Sequence, residues 1–173
     1  MKTKLTILVA SHKPDKVYAD DVYTPIHVGR AISKFKEEMV GMIGDDSGDN
    51  ISDKNGSYCE LTATYWAWKN LKGTDYIGLA HYRRYFATKF SSDIIDELFK
   101  SCDVVLPAPY LHDRYNEMKM ARTLDMEDEV IFLKVFKKKY PEYEQSLIDY
   151  MYGFRDYPYN MFIMRWNLFD QYC

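Results

Sequence analysis

The chain has 173 residues, of which 47% are apolar and 28% charged, and its formal net charge is −3. This balance is typical of a globular protein and excludes a disordered one, while the acidic charge argues against a nucleic-acid-binding protein. No apolar run approaches the roughly 18 residues of a membrane-spanning helix, and three widely spaced cysteines without a CxxC motif argue against a disulfide framework or a zinc site.

The first quarter of the chain predicts two strands separated by a helix. Residues 4–10 are rich in Leu, Ile and Val and indicate a buried strand that ends at Ser11. Residues 24–37 are predicted to form a helix, with Pro25 near its start. Residues 38–43 are predicted to form a second, short strand.

A polar loop then leads into the most clearly predicted helix. The loop, residues 44–57, contains three glycines and four aspartates, and the helix is predicted over residues 57–71. Ser57 and Glu60 match the S-x-x-E capping box at its start. Residues 75–86 follow as a predicted strand that ends in the charged aromatic segment HYRRYF.

The second half of the chain continues the alternation of helices and strands. Its predicted elements are a helix over 92–101, a strand over 103–106, a loop over 110–122, a helix capped by Asp125 that ends near residue 140, a short helix that begins at Pro141 and ends near residue 152, a strand over 159–166, and the beginning of a further helix.

Alternating strands and helices imply an α/β fold with a largely parallel sheet that is covered on both faces. The length predicts a single domain over residues 1–173. Ligands of such sheets bind at the carboxyl ends of the strands. The polar segments at those ends are residues 11–13, 45–55 and 81–86.

The segment HYRRYF carries the strongest functional signal. If the strand continued through it, His81, Arg83 and Tyr85 would share one face because side chains alternate. Arginine offers a planar fork for phosphate oxygens, and histidine can supply charge or a proton to a leaving group. The alternative is a strand whose arginines form salt bridges with neighbouring helices.

The aspartate-rich loop carries a second signal, in Asp45, Asp46 and Asn50. Carboxylates that follow a strand can hold ribose hydroxyls or the imide of a uracil. The spacing does not match the calcium-binding loop of an EF-hand. A solvated turn rich in Asp, Gly and Asn is the other alternative.

The remaining candidates flank these segments. We predict that further nucleotide- or substrate-binding residues are Ser11, His12, Lys13, Glu60, Tyr65, Tyr82, Tyr85 and Asn160. Tyrosine provides a flat apolar face with a hydroxyl, which suits sugar and base stacking. The sequence contains no G-x-x-x-x-G-K-[ST], G-x-G-x-x-G, G-x-S-x-G or HExxH motif, so the usual signatures of ATPases, dinucleotide-binding enzymes, serine hydrolases and metalloproteases are absent.

The runs GDDSGDNISDKNGSYCELTATYWAWKN, DYIGLAHYRRYF and YPYNMFIMRWNLFDQYC resemble the family named domain of unknown function 4422 over essentially the whole chain. Members of this bacterial family are typically encoded in capsular and exopolysaccharide gene clusters and are regarded as glycosyltransferases. The resemblance implies a GT-A-like, Rossmann-type domain that binds a nucleotide sugar. Family members usually continue for several tens of residues beyond the equivalent of residue 173, so we expect the chain to lack the usual C-terminal helices.

The resemblance also implies roles for individual residues. Most GT-A enzymes hold a metal with an Asp-x-Asp motif, which is absent after residues 76–80. We therefore expect His81, Arg83 and Arg84 to stabilise the leaving diphosphate and no cofactor to be required, although a divalent metal stays open. Asp45 and Asp46 would contact the nucleoside, Asn160 the donor sugar or acceptor, and the catalytic base stays open among Asp113, Glu117 and Asp156.

The partners that the resemblance implies are a nucleoside-diphosphate sugar, with UDP as the expected nucleotide, and a growing, lipid-linked surface polysaccharide. The transferred group is expected to be a hexose, with galactose as one candidate. The expected location is cytoplasmic, at the inner face of the cell membrane; peripheral membrane association and a homodimer stay open. The alternatives are a non-catalytic nucleotide-sugar- or glycan-binding domain and a metal-dependent hydrolase.

Overall fold

The structure is a computed structural model and describes residues 3–120 and 125–173. The chain divides into two compact units: Met1–Pro107 together with Tyr159–Cys173, and Ala108–Pro158. We describe each unit by itself, and the assignment of residues 1–173 to one domain stays a prediction.

Numbered along the chain, the strands are β1 Leu5–Ser11, β2 Tyr23–His27, β3 Ile43–Gly44, β4 Tyr76–His81, β5 Val104–Val105, β6 Tyr110–Leu111, β7 Arg155–Asp156 and β8 Phe162–Arg165. The first unit is built on a six-stranded sheet in the order β3-β2-β1-β4-β8-β5. β8 lies between β4 and β5 and is antiparallel to both, whereas β1 to β4 pair in parallel. The predicted α/β fold with a mostly parallel central sheet is confirmed.

β1 is buried along its whole length, as its continuous apolar run predicts. Ile7 and Val9 pack on one face of the sheet in a cluster with Tyr23. Leu8 and Ala10 pack on the other face, in a cluster that includes residues of the sheet and of the helices. Burial on both faces fixes β1 in the centre of the sheet and places its carboxyl end beside those of β2 and β4.

The helix predicted over residues 24–37 is wrong, because residues 23–27 form β2 and Arg30–Ile32 forms only a 3₁₀ turn. Two hydrogen bonds flank the pairing of β2 with β1: the Ile7 N–H donates to Val22 O, and the Val28 N–H donates to Ser11 O. Because backbone groups alternate along a strand, the N–H and C=O groups of the even-numbered residues of β2 point towards β1. Pro25 therefore faces the other edge, where the two-residue β3 pairs only with residues 26 and 27. Because no strand of the described residues pairs with Pro25 at that edge, its missing N–H costs no hydrogen bond between strands.

The predicted strand over residues 38–43 is much shorter than expected, because only Ile43 and Gly44 pair, as β3. The helix predicted over residues 57–71 is interrupted. Cys59 has a φ of 48° and separates α1, Asn55–Tyr58, from α2, Leu61–Asn70. The capping box is also wrong, because the Glu60 side chain makes no capping hydrogen bond. The Glu60 carboxylate is thus not used to cap the helix and can bond to side chains from other elements.

The strand predicted over residues 75–86 ends at His81. The His81 N–H donates to Arg84 O over 3.1 Å and the Arg84 N–H donates back to His81 O over 2.9 Å, so the chain turns through Tyr82 and Arg83. The expected common strand face of His81, Arg83 and Tyr85 is therefore wrong. α3, Ser92–Leu98, follows with Ser91 as its N-cap, and α7, Trp166–Tyr172, follows β8.

The second unit contains the paired strands β6 and β7 and the helices α4, Asn116–Met120, α5, Met126–Lys139, and α6, Glu144–Met151. The predicted helix that ends near residue 140 is confirmed as α5, although the Asp125 side chain at its N-cap position makes no capping hydrogen bond. The helix predicted from Pro141 begins as a 3₁₀ turn, Pro141–Tyr143, and continues as α6. The loop predicted over 110–122 instead contains β6 and α4, and its last two residues lie outside the described residues. Asn116 is buried and its side-chain amide donates to the carbonyls of Tyr150 and Arg155.

Candidate functional site

A pocket of about 240 Å³ opens at the carboxyl ends of the parallel strands. His12 follows β1, Val28 follows β2, and His81 ends β4. The segment between α1 and α2 closes another side with Glu60. This is the edge at which the topology predicts a ligand. The pocket is lined by Ala10, His12, Val28, Asn55, Cys59, Glu60, His81 and Tyr82.

Glu60, His81 and Asn160 form a polar cluster at this pocket. The Asn160 side-chain amide donates to Glu60 Oε1 over 2.8 Å, and His81 Nε2 lies 3.9 Å from the same oxygen. His81 Nε2 also lies at hydrogen-bond distance from the Tyr159 carbonyl oxygen. β8 runs antiparallel to β4, which brings the segment before its first residue, Phe162, to the end of β4.

Unusual backbone conformations concentrate around the same cluster. Within the described residues, the non-glycine residues with positive φ are Cys59 at 48°, Tyr159 at 74° and Asn160 at 51°. Each such conformation costs on the order of 1–3 kcal/mol, and such residues are frequent at functional sites. The three residues flank Glu60 and His81, so the strain coincides with the polar cluster.

The two arginines of HYRRYF have different environments. The Arg83 guanidinium forms an ion pair with Asp15, with Nη2 2.8 Å from Oδ2, and Arg83 lowers the pKa of the Asp15 carboxyl chiefly by hydrogen bonding to it. The Arg84 guanidinium instead lies over the ring of Tyr159, 4.1 Å from its centroid. Arg84 is exposed. The geometry therefore favours Arg84 over Arg83 as a cation for a bound anion.

Asp45, predicted to contact the nucleoside, is fully buried. Its carboxylate accepts hydrogen bonds from the backbone N–H groups of Gly29 and Arg30 and from the hydroxyls of Ser52 and Thr62. Gly29 has a φ of 66°, and a Cβ there would lie 2.7 Å from the Asn55 side chain. The carboxylate thus joins the segment after β2, the 3₁₀ turn at Ser52 and α2, which favours a structural role over the predicted nucleoside contact.

The other predicted residues of the polar loop also bond within the protein. Asp46 forms an ion pair with Arg30 over 3.0 Å. The Asn50 side chain bonds to the backbone of Gly48 and Ser52 in a local turn. Tyr65 lies on α2 and its hydroxyl donates to Asp49. None of Asp46, Asn50 and Tyr65 lines the pocket.

Some of the predicted residues at the ends of β1 and β4 line the pocket, and others do not. His12 and Tyr82 line the pocket and their rings meet edge to face. Ser11 is buried and donates to the Lys13 carbonyl. Tyr85 packs against Tyr18 and Tyr23 in a separate aromatic cluster. The structure thus brings together five of the predicted residues, His12, Glu60, His81, Tyr82 and Asn160.

Asp156, the remaining predicted catalytic residue, lies on β7 of the second unit. Its carboxylate is 3.8 Å from His112 Nε2 and accepts a hydrogen bond from the Tyr150 hydroxyl. Asp113 and Glu117 belong to the same unit. The role of a carboxylate of this unit as the catalytic base stays a prediction.

His27 is a buried residue that the sequence did not single out. It ends β2, is 0% exposed, and neither ring nitrogen has a hydrogen-bond partner among the described residues. Burial lowers the pKa of the imidazole, because the charged form loses its hydration. His27 is therefore neutral at pH 7.

The profile of the family "Domain of unknown function (DUF4422)" matches residues 6–173. The chain belongs to the DUF4422 family. No curated protein is significantly similar to it. The chain is similar to the solved apo structure of WbbM, described as a bifunctional glycosyltransferase, with a TM-score of 0.80 and 29% sequence identity over 98% of this chain. The match covers 35% of the WbbM chain, so this DUF4422 chain spans about a third of that length.

Among the residues that the structure describes, those at the end of β4 do not offer the acidic ligand set of a GT-A-type divalent metal. The end of β4 carries His81, Tyr82 and Arg83, which is not an acidic ligand set. The carboxylates of Asp45 and Asp46 are engaged by protein donors. Across residues 3–120 and 125–173, no three His, Cys, Asp or Glu side chains converge as a metal site.

Two residues beside the polar cluster of this DUF4422 chain were missed in the sequence. Cys59 and Tyr159 were not predicted to take part, although each has an unusual backbone conformation beside the polar cluster. The run Pro158-Tyr159-Asn160 contains a proline and an asparagine, which indicate a turn. The strand predicted over residues 159–166 is therefore wrong at its start: β8 begins at Phe162, and the turn before it contacts His81.

Proposed function

We propose that the chain is a glycosyltransferase that moves a hexosyl group from a nucleoside-diphosphate sugar to the hydroxyl of a glycan acceptor. The observation that carries the proposal is the similarity to WbbM over 98% of this chain. The polar cluster of Glu60, His81 and Asn160, at the edge where α/β sheets bind ligands, supports it independently.

In the proposed reaction the bond between the anomeric carbon and the diphosphate oxygen breaks, and a bond to the acceptor oxygen forms. The acceptor hydroxyl gives its proton to a catalytic base, for which Asp113, Glu117 and Asp156 are the predicted candidates. Negative charge then develops on the leaving diphosphate, which fixed cations stabilise. Arg84 is the candidate for this role, because its guanidinium has the planar geometry that suits phosphate oxygens. His81 lies at the same strand end and can add a proton or a hydrogen bond to the departing group.

Glu60 and Asn160 are proposed to hold the donor sugar. A carboxylate and an amide that share a hydrogen bond over 2.8 Å present acceptor and donor groups together. Such a pair suits the paired hydroxyls of a hexose. His12 and Tyr82, whose rings line the pocket, are proposed to contact the nucleotide.

The finer parts of the proposal follow from the family resemblance. They are a UDP donor, a galactosyl group as one candidate, a lipid-linked surface-polysaccharide acceptor, and a position at the inner face of the bacterial cell membrane. Within the described residues, no helix has the length and apolarity to cross a bilayer. We further propose that transfer needs no divalent metal.

Isothermal titration calorimetry with UDP-galactose, UDP-glucose and UDP-N-acetylglucosamine tests donor binding, with GDP-mannose as the control for the nucleotide. Release of UDP from the bound donor, with and without a glycan acceptor, tests turnover. We expect binding of at least one UDP-sugar and UDP release in excess EDTA. Binding without any release would favour the non-catalytic alternative, and loss of turnover in EDTA that manganese restores would contradict the metal-free proposal.

A further inference from the structure

Apolar surface is exposed mainly in one part of the molecule. Most of the large exposed apolar side chains lie between residues 108 and 158. Among the described residues of this unit, Met151 is the hydrophobic residue that is buried. A surface of this kind normally marks an interaction site.

α5 is the longest helix in this unit and none of its residues is buried. With 14 residues it is roughly 21 Å long. Asp128, Phe132, Val135 and Lys139 follow one another at spacings of four, three and four residues. Residues at these spacings lie on one stripe of a helix. The side chains of Phe132 and Val135 are 40% and 48% exposed.

Charge is distributed unevenly along α5. Its first turn carries Glu127, Asp128 and Glu129, and its last turn carries Lys137, Lys138 and Lys139. Neither Asp128 nor Lys139 forms a salt bridge within the described part of the chain. The stripe is thus acidic at one end, apolar in the middle and basic at the other end.

We propose that α5 is a self-association surface, on which α5 of a second copy of this chain packs antiparallel. A two-fold axis between residues 133 and 134 would bring Asp128 of one copy opposite Lys139 of the other, twice. The same axis would bring Phe132 opposite Val135, also twice. Two-fold interfaces require such a self-complementary patch, and the apolar pairs would be removed from water.

A lipid bilayer is the main competing partner for an exposed apolar helix. Helices that lie in the membrane interface carry mainly Lys and Arg on their polar faces. Anionic lipids would attract the three lysines in the last turn of α5 but repel the three acidic residues in its first turn, so a bilayer matches only one end of the helix. A second copy offers lysines to the same three residues, which is why we favour it.

Sedimentation velocity of the 173-residue chain at 1–200 µM tests the proposal. We expect dimerisation that depends on concentration. Val135→Glu should abolish it, and the matched control Val40→Glu, at an exposed position of the other unit, should not. Asp128→Lys and Lys139→Glu should each weaken the dimer about tenfold.

Mixing the two charge variants isolates the antiparallel contact. An equimolar mixture of Asp128→Lys and Lys139→Glu chains should form a heterodimer, because each reversed charge then meets an opposite one. Circular dichroism checks that each variant remains folded. A wild-type chain that stays monomeric at 200 µM would overturn the proposal. So would failure of the mixture to associate, or a monomer that binds phosphatidylglycerol vesicles through Val135.

Discussion

Glu60 and Asn160, which are 100 residues apart in the sequence, are joined by a 2.8 Å hydrogen bond from the Asn160 amide to the Glu60 carboxylate. The carboxylate also faces His81 over 3.9 Å. One acidic group therefore links the start of α2, the end of β4 and the segment before β8.

Replacing Glu60 with glutamine tests the role of this charge. Glu60→Gln keeps the size and one oxygen acceptor of the side chain but removes the negative charge beside His81. We expect the rate of sugar transfer to fall by at least about 100-fold, the scale of a lost catalytic or positioning group. UDP-release assays measure it, with the exposed residue Glu38→Gln as the control; retention of at least half the wild-type rate would count against a role for Glu60.

Alanine variants at Arg83 and Arg84 separate two neighbouring cations. Arg83 is paired with Asp15, whereas Arg84 lies over Tyr159. We expect Arg84→Ala to weaken UDP binding about tenfold, as for a lost charge-assisted hydrogen bond, and Arg83→Ala to change it less than about threefold. Calorimetry with UDP measures both, and the reverse order would show that the ion pair with Asp15 opens on binding.

Substitution of Asp45 should destabilise the protein, and substitution of its neighbour should not. Asp45→Ala leaves two backbone N–H groups and two hydroxyls without their buried acceptor. We expect the free energy of unfolding to fall by about 3–5 kcal/mol. Asp46→Ala removes only a half-exposed ion pair with Arg30 and should cost less than about 1 kcal/mol. Urea denaturation measures both, and equal losses would contradict the structural role of Asp45.

The buried His27 predicts acid sensitivity. Its pKa in the folded protein is lowered from 6.5 by burial, with Asp45 and Asp46 opposing this shift and Arg30 and Lys36 reinforcing it. Below pH 6.5 the unfolded chain therefore binds a proton at His27 that the folded chain does not. The contribution of His27 to the free energy of unfolding is fully present above this pH and is lost as the pH falls towards the folded pKa. For this single proton, the free energy of unfolding changes by at most about 1.4 kcal/mol per pH unit.

Denaturation of the wild type and His27→Phe between pH 7.5 and 5 measures this effect. The phenylalanine variant cannot be protonated and should lose this part of the slope. Asp15 and Asp20, whose pKa values are lowered from 3.8, contribute only below that window. Equal slopes in the two proteins would contradict a neutral, buried His27.

The backbone at Cys59 predicts a stabilising substitution. Its φ of 48° is readily adopted by glycine but costs energy for a residue with a Cβ. Cys59→Gly should raise the free energy of unfolding by about 0.5–1 kcal/mol. Cys59→Ala keeps the Cβ and serves as the matched control, which should not stabilise the protein. A glycine variant less stable than the alanine variant would show that the conformation is not strained.

Local patterns predicted the elements that depend mainly on their own residues. The apolar run of β1 and the helices on either side of Pro141 are of this kind. β2 was mistaken for a helix because its strand character comes from pairing with β1, and Pro25 is tolerated only where that pairing leaves its nitrogen unused. The break at Cys59 was missed because Ser57 and Glu60 match a local motif that the tertiary contact with Asn160 overrides.

The sequence predicted the location of the candidate site better than it predicted the role of each residue. Strand ends correctly indicated the edge where His12 and His81 line a pocket. The engagement of Asp45 by Gly29, and of Arg83 by Asp15, depends on distances across loops that no spacing in the sequence encodes. These two residues illustrate why polar side chains after a strand are ambiguous between ligand binding and loop closure.

The central position of β8 has a consequence for how the chain folds. β8 contains residues 162–165 yet fills the gap between β4 and β5, so neither of those strands has its full set of neighbours until this late segment arrives. A nascent chain that ends before residue 162 would expose the hydrogen-bonding edge of β4, which is prone to aggregation. The inner edge of β4 therefore stays without a strand partner until residues 162–165 have been synthesised.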